Sequence, residues 1–269
     1  GKTHIVERSA PTSHGTLHVE ITASPLRDAK GAIVAGIEVV HNITARKQAQ
    51  QALANRTRQA SLGAEIGVVL TAGGDLGAMA QACAEAIVTH LDAAFARIWT
   101  WNEQTQILEM QASAGLYTHI DGAHGRVPIG KFKIGLIAAE REPHLTNNVV
   151  GDPRVGDQDW ARREGMVGFA GYPLIVQDRL VGVMAMFSRT EIPDATITAL
   201  ASIADVIALG LERARADESL REYSKQLTAL NRASQVLLAS RDLASLYQEI
   251  CNIAHSVFAV EMVWLGLVG

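Results

Sequence analysis

The order in which apolar residues change period between residues 44 and 239 leaves few folds open to this chain. A helical stretch over 46–70, bent if anywhere near Gly63 or Gly67, is broken by Gly73-Gly74, and Asp75 is placed to cap a second helix reaching about residue 90. On that helix Leu76, Met79, Cys83, Ile87 and Leu91 recur at helical spacing and form one apolar face. Two strands follow over 94–101 and 107–114, turned by Glu103-Gln104-Thr105. An irregular region over 115–169 holds short helices near 135–140 and 157–163. A second hairpin over 168–176 and 180–189 turns at Gln177-Asp178, and from Pro193 the pattern is helical to about 239. Helix, strand pair, connections, strand pair and helix together predict an antiparallel sheet with helices packed on one face, an α+β fold.

Ahead of this unit the first residues read as a strand, and 16–27 alternates, with Leu17, Val19 and Ile21 opposite His18, Glu20 and Thr22. Asp28-Ala29-Lys30-Gly31 supplies a hairpin turn, and 32–43 returns as an apolar strand. Thr44 is expected to cap a helix that opens with Ala45-Arg46-Lys47-Gln48. A strand running directly into a charged helix passes strain from sheet to helix.

Composition excludes several function classes. A formal net charge of -4, with acidic and basic residues interspersed, gives no nucleic-acid-binding surface. The longest apolar stretch, 166–187, is interrupted by Pro173, Asp178 and Arg179, so it is not expected to cross a membrane. Two cysteines, Cys83 and Cys251, are too far apart for a metal or disulfide spacing, and their scarcity fits a reducing, cytoplasmic setting.

The stretch Leu70-Thr71-Ala72-Gly73-Gly74-Asp75-Leu76 recurs as Leu237-Leu238-Ala239-Ser240-Arg241-Asp242-Leu243. Apolar positions mostly match through the following helix and strand, Leu91 meeting Phe258 and Ile98 meeting Leu265, which indicates tandem domains. The chain is therefore expected to be an interior slice of a multidomain protein, cut inside a second copy.

Two linked sensory families are resembled at these residues. The strand over 17–24, Pro25-Leu26-Arg27-Asp28, Gly36-Ile37 and the junction Asn42-Ile43-Thr44-Ala45-Arg46-Lys47 resemble the C-terminal end of a PAS domain. That family usually has Asp where Asn42 stands, so its charge-assisted pair to a linker arginine is lost here. Pro143-His144-Leu145-Thr146-Asn147-Asn148-Val149, Asp152-Pro153-Arg154, Gly171-Tyr172-Pro173-Leu174 and the strand Gly182-Val183-Met184-Ala185-Met186-Phe187 resemble a GAF domain. The resemblance implies a PAS end over 1–48, a linker helix over 49–60, a GAF domain over 61–215, a coiled-coil signalling helix over 216–232 and the start of a second GAF domain over 233–269. Relatives of this architecture usually end in a histidine kinase or a cyclic-dinucleotide synthase, and this chain contains neither.

GAF relatives hold ligands between the sheet and connections such as those over 115–169. Trp99, Phe132, Trp160, Phe169, Tyr172 and Met184, with Met186 beside it, are the candidate lining residues. Asn42, Thr44 and Arg46 are the candidate signalling junction. A covalent bilin needs a cysteine in the pocket half, and none lies between residues 84 and 250, so that cofactor is not expected. His119, His124 and His144 with Asp121 match no compact haem or metal motif. Asp152, Asp157 and Asp159 are read as loop acids, with Asp157 capping a short helix. No nucleophile and base stand at a catalytic spacing, and no catalytic site, metal or cofactor is assigned.

Leu220, Tyr223, Leu227, Leu230 and Leu237 form an a/d seam, with Ser234 at the intervening position. Ile197, Leu200, Ala204, Ile207 and Leu211 form another upstream, and a stutter near Arg215 is expected to reconcile their phases. The expectation is a homodimeric sensory module that binds a small molecule or partner and relays occupancy to an output, a histidine kinase being the first choice. The rival is a structural dimerisation spacer without ligand.

Overall fold

The computed structural model describes residues 2–12, 15–122 and 124–239, together with 247, 248, 250–252, 255, 262 and 263. The alternating N-terminal segment forms a three-stranded antiparallel sheet, β1 (His4–Thr12), β2 (Gly15–Arg27) and β3 (Ile33–Asn42), in that order. Asp28 makes the β2–β3 turn by accepting from the amides of Lys30 and Ala32 at 2.8 and 2.9 Å, and Gly31 takes the left-handed φ of +83°.

Helix α1 (Thr44–Ala72) follows at once and runs unbroken through Gly63 and Gly67. The expected Thr44 cap is not formed. Buried Ile43 holds the cap position, and the Thr44 hydroxyl instead accepts from the His18 amide of β2 at 2.9 Å. Asn42 Oδ1 accepts from the Thr44 amide at 2.9 Å, so the junction is closed by short-range bonds to sheet and turn. Arg46 pairs not with position 42 but with Glu7 and Glu20, at 3.1 and 3.3 Å, and Lys47 also reaches Glu7.

After Gly73-Gly74, Asp75 caps α2 (Leu76–Leu91) by accepting from the Ala78 amide at 3.0 Å. Next come β4 (Phe95–Asn102), β5 (Ile107–Gly115), β6 (Arg126–Pro128), α3 (Phe132–Glu140), β7 (His144–Thr146), α4 (Gln158–Arg163), β8 (Gly168–Val176), β9 (Arg179–Ser188) and α5 (Asp194–Ala239). The strands form a six-stranded antiparallel sheet in the order β6-β5-β4-β9-β8-β7. Edge strands β6 and β7, three residues each, are too short to show a period in the sequence.

Both faces of this sheet are covered, and two separate apolar clusters result. On one side α1, α2 and α5 pack Leu62, Ile66, Cys83, Ile87, Leu200, Ile207 and Leu211 against Ile98, Tyr172, Met184 and Met186. On the other, α3, α4 and the connections pack Ile134, Ile137, Val149 and Ala161 against Phe95, Trp99, Phe169 and Val183. Strand alternation does the sorting, since neighbours such as Met184 and Ala185 point to opposite faces.

Helix α5 is one element of 46 residues, and its two seams are two faces, not one seam with a stutter. Leu200, Ala204, Ile207 and Leu211 are buried against the sheet. Val206 and Leu209, on the opposite side, are exposed and continue in step with exposed Leu220, Tyr223, Leu227 and Leu230. Residues 194–232 are long and apolar enough to cross a membrane by length and composition, and the buried inner stripe accounts for part of that hydropathy. The expected second copy falls largely on residues past 239 that lie outside the described set.

Candidate functional site

Three side chains on one face of β4, Phe95, Arg97 and Trp99, make the floor of a cavity of about 540 Å³. Phe169 of β8 and Ala185 and Phe187 of β9 extend that floor. The cover is Phe132, Lys133 and Ile134 of α3, Trp160 of α4, the 154–157 connection, and Tyr117, His119 and His124 from the link between β5 and β6.

The aromatic groups hold one another. Phe95 stacks on Phe187 at 4.9 Å and meets Tyr117 and Trp160 edge-on at 5.4 and 5.9 Å. Trp160 Nε1 donates to the Tyr117 hydroxyl at 2.9 Å, and Trp99 Nε1 donates to the His124 carbonyl at 2.8 Å. Each indole N–H is thereby satisfied within the protein. At the rim, half-exposed Phe132 lies 5.6 Å from the His124 ring.

Charge in the cavity is dominated by cations. Arg97 Nε donates to Ser113 Oγ at 3.1 Å, and Ser113 in turn donates to the Tyr117 carbonyl at 2.7 Å. The guanidinium lies 5.1 Å from the Phe95 ring and 5.6 Å from the Tyr117 ring, and burial pushes its pKa down. Partial burial, with Arg97 nearby, also pushes the His124 imidazole down. Lys133 and Arg154 both engage Asp152, at 2.5 and 2.9 Å. Asp157, the one acid among the described residues that lines the cavity, caps α4 by accepting from the Trp160 amide at 2.7 Å.

Of the six lining candidates read from the sequence, Trp99, Phe132, Trp160 and Phe169 meet around the cavity. Tyr172 and Met184 do not, and neither does Met186. They face the long helices, with the Tyr172 hydroxyl donating to the Ile197 carbonyl at 3.0 Å. Phe95, Arg97 and Tyr117 line the cavity without having been singled out by the sequence pattern. Arg97 had a signal: a charge inside the apolar strand over 94–101, in alternation with two aromatics.

His144 lies apart on β7, bonded to Glu140 at 2.5 Å, while His119 and His124 line the cavity. Among the described residues no group of three or more His, Cys, Asp or Glu is placed to hold a metal ion. Cys83 sits in the helix-side cluster, across the sheet from the cavity. Asn42, Thr44 and Arg46 lie together where β3 enters α1.

The sequence pattern of the GAF domain matches residues 73–212, more than half of the chain. None of the curated proteins matches. Among solved structures, the GAF domain of a phosphoenolpyruvate-protein phosphotransferase from Coxiella burnetii is similar at 18% identity and TM-score 0.53, covering 61% of this chain and 98% of its own. The corresponding domain from Acinetobacter is similar at 15% identity and TM-score 0.51, over 60% and 97%. The A. aeolicus nlh2 GAF domain in an inactive state is similar at 14% identity and TM-score 0.52, over 59% and 98%. At such identities these structures share the fold and no more. The curled six-stranded sheet, its helical layer and its covered opposite face thus have their counterparts in GAF domains, and the chain belongs to the GAF domain family, whose members are generally sensory or regulatory modules.

Proposed function

We propose that this chain is a sensory segment in which the GAF cavity takes up a small molecule and α5 relays occupancy to a distant output. The observation that carries the reading is the cavity itself. Its volume of about 540 Å³ falls within the range of small-molecule sites, and its wall combines aromatics with a few convergent polar groups. The relay rests on the sheet having two covered faces. Phe187 and Ala185 line the cavity, while their neighbours Met186 and Met184 pack on the helix side with Leu200, Ile207 and Leu211 of α5. A shift of β9 under ligand is therefore felt by α5. The ligand acts only through a difference in affinity between two states.

In this reading residues 1–48 are the end of a PAS domain, whose strand β3 exposes Ile37 and Val39 on one face and Val34 and Val40 on the other, apolar surface suited to being covered. Residues 233–269 begin a second GAF domain, and the output is a histidine kinase or a cyclic-dinucleotide enzyme. The outer stripe of α5 pairs with that of a second copy. A spacer without ligand is the alternative, favoured by the same exposed stripe. Melting the protein against a metabolite panel separates them, because a ligand of the folded form raises the midpoint by mass action. A rise lost in Trp160→Ala, with folding retained, supports sensing; a midpoint indifferent to every metabolite favours the spacer.

A further inference from the structure

We infer that the GAF cavity is built for an aromatic organic acid, the ligand's carboxylate seated on Arg97 and its ring among Phe95, Tyr117, Trp160 and Phe187. This rests on the reading of the cavity as a ligand site and narrows it to one chemical class.

Arg97 is the unusual group. It sits in the middle of a sheet strand, between Phe95 and Trp99 on the cavity face, where a charge is costly unless something needs it. No carboxylate among the described residues forms an ion pair with it. Its Nε is committed to Ser113, whose own proton goes to the Tyr117 carbonyl, so the hydroxyl is fixed as an acceptor. Its guanidinium carbon lies 5.1 and 5.6 Å from the Phe95 and Tyr117 ring centres. That leaves the two terminal nitrogens as preorganised donors beside the cavity, the fork geometry that takes a carboxylate with two parallel bonds.

The rest of the wall agrees in sign. Lys133 and Arg154 bring two positive charges and share the single carboxylate of Asp152, and both line the cavity. Asp157 is the only acid among the described lining residues, and its carboxylate is engaged at the start of α4. An aromatic box by itself suits a cationic ligand. Here a guanidinium already lies against two of those rings, so a second cation is repelled and an anion is drawn in. The ring contacts at 4.8–5.9 Å among Phe95, Trp160, Phe169 and Phe187 set edges and faces at varied angles, which suits a flat apolar body.

The test is titration calorimetry on the whole chain with matched sets of benzoate, 2-naphthoate and indole-3-carboxylate, their neutral amides and their cationic amidines. The carboxylates are expected to bind at least ~10-fold more tightly than amides or amidines, as a charge-assisted fork requires. Arg97→Gln should abolish that preference, and Arg97→Lys should keep part of it, with both melting profiles compared to the parent. The comparison of acids with amides on the unmodified protein stands even if the variants do not fold. Amides or amidines binding as well as the acids would overturn the anion assignment and leave the cavity as a ligand site. If no acid binds at millimolar concentration the assignment also falls, and a midpoint rise with a mixed neutral metabolite panel then shows whether the sensing reading survives.

Discussion

Lys133 of α3 and Asp152 of the connection before α4 meet at 2.5 Å, with side chains 5% and 4% exposed. Arg154 closes on the same carboxylate through Nε and Nη2, both at 2.9 Å, and the Lys133 ammonium lies 4.2 Å from the Phe169 ring. The cavity's cover is thus fastened by a buried charge cluster, and each member depends on the others. Asp152→Asn should cost about 3–5 kcal/mol, because it strands Lys133 as a buried cation with no counter-charge. Urea unfolding followed by tryptophan fluorescence measures it. A loss under about 1 kcal/mol would mean that water reaches the cluster.

The same cluster sets a pH response. Hydrogen bonds from Arg154, and then from Lys133, hold the Asp152 carboxyl well below the ordinary carboxylate range despite burial. A depressed carboxylate contributes its stability fully above its unfolded pKa, near 4, and loses it as pH falls toward the folded value. The parent protein should therefore lose more stability than Asp152→Asn between about pH 5 and pH 3. Parallel unfolding curves for the two at those pH values would remove the cluster from the acid response.

How far these features could be read in the sequence depends on the element. The β4–β5 and β8–β9 hairpins and the Asp75 and Asp157 caps follow from period and capping chemistry. Which faces of β8 and β9 look into the cavity does not, because both strands are buried on both faces and nearly every residue over 168–174 and 180–187 is apolar. The placing of Tyr172 and Met184 fails for that reason. The cap expected at Thr44 fails because its hydroxyl is claimed by a strand amide 26 residues away, at His18, which no local pattern announces.

Gly182 answers a different constraint. It lies on β9 between Thr100 of β4 and Leu174 of β8, where a Cβ would run into the Trp99 backbone carbonyl. Backbone cannot swing aside as a side chain can, so Gly182→Ala should cost about 1–3 kcal/mol. Gly63 of α1, exposed with nothing near its missing Cβ, should respond in the opposite direction, and Gly63→Ala should gain about 1 kcal/mol. Thermal melting by circular dichroism reads both, and equal signs would contradict the packing described.

Cys83 is fully buried between α2 and the sheet, and burial pushes its thiol up to about 12. With almost no thiolate near neutral pH and no access, it should stay unlabelled by a disulfide reagent until the domain opens. The native protein should then react at no more than one of its two thiols, the second appearing only as denaturant crosses the unfolding midpoint. Immediate labelling of both would show that α2 leaves the sheet at low cost.

The outer stripe of α5 decides whether the relay has anything to act against. Leu220, Tyr223, Leu227 and Leu230 are 49–66% exposed, and Val206 and Leu209 continue the same stripe two heptads upstream. Between them, in the same phase, stand exposed Arg213 and Ala216, so the apolar contact thins next to the domain and resumes beyond it. A solitary helix gains nothing from such a row, whereas a parallel partner buries it as an a/d seam. Leu220→Glu with Leu227→Glu should turn a dimer into a monomer by sedimentation equilibrium. The GAF core should keep its melting behaviour, because neither residue belongs to either apolar cluster. A parent protein that sediments as a single chain even at high concentration would leave the stripe unexplained and the proposed relay without its second half.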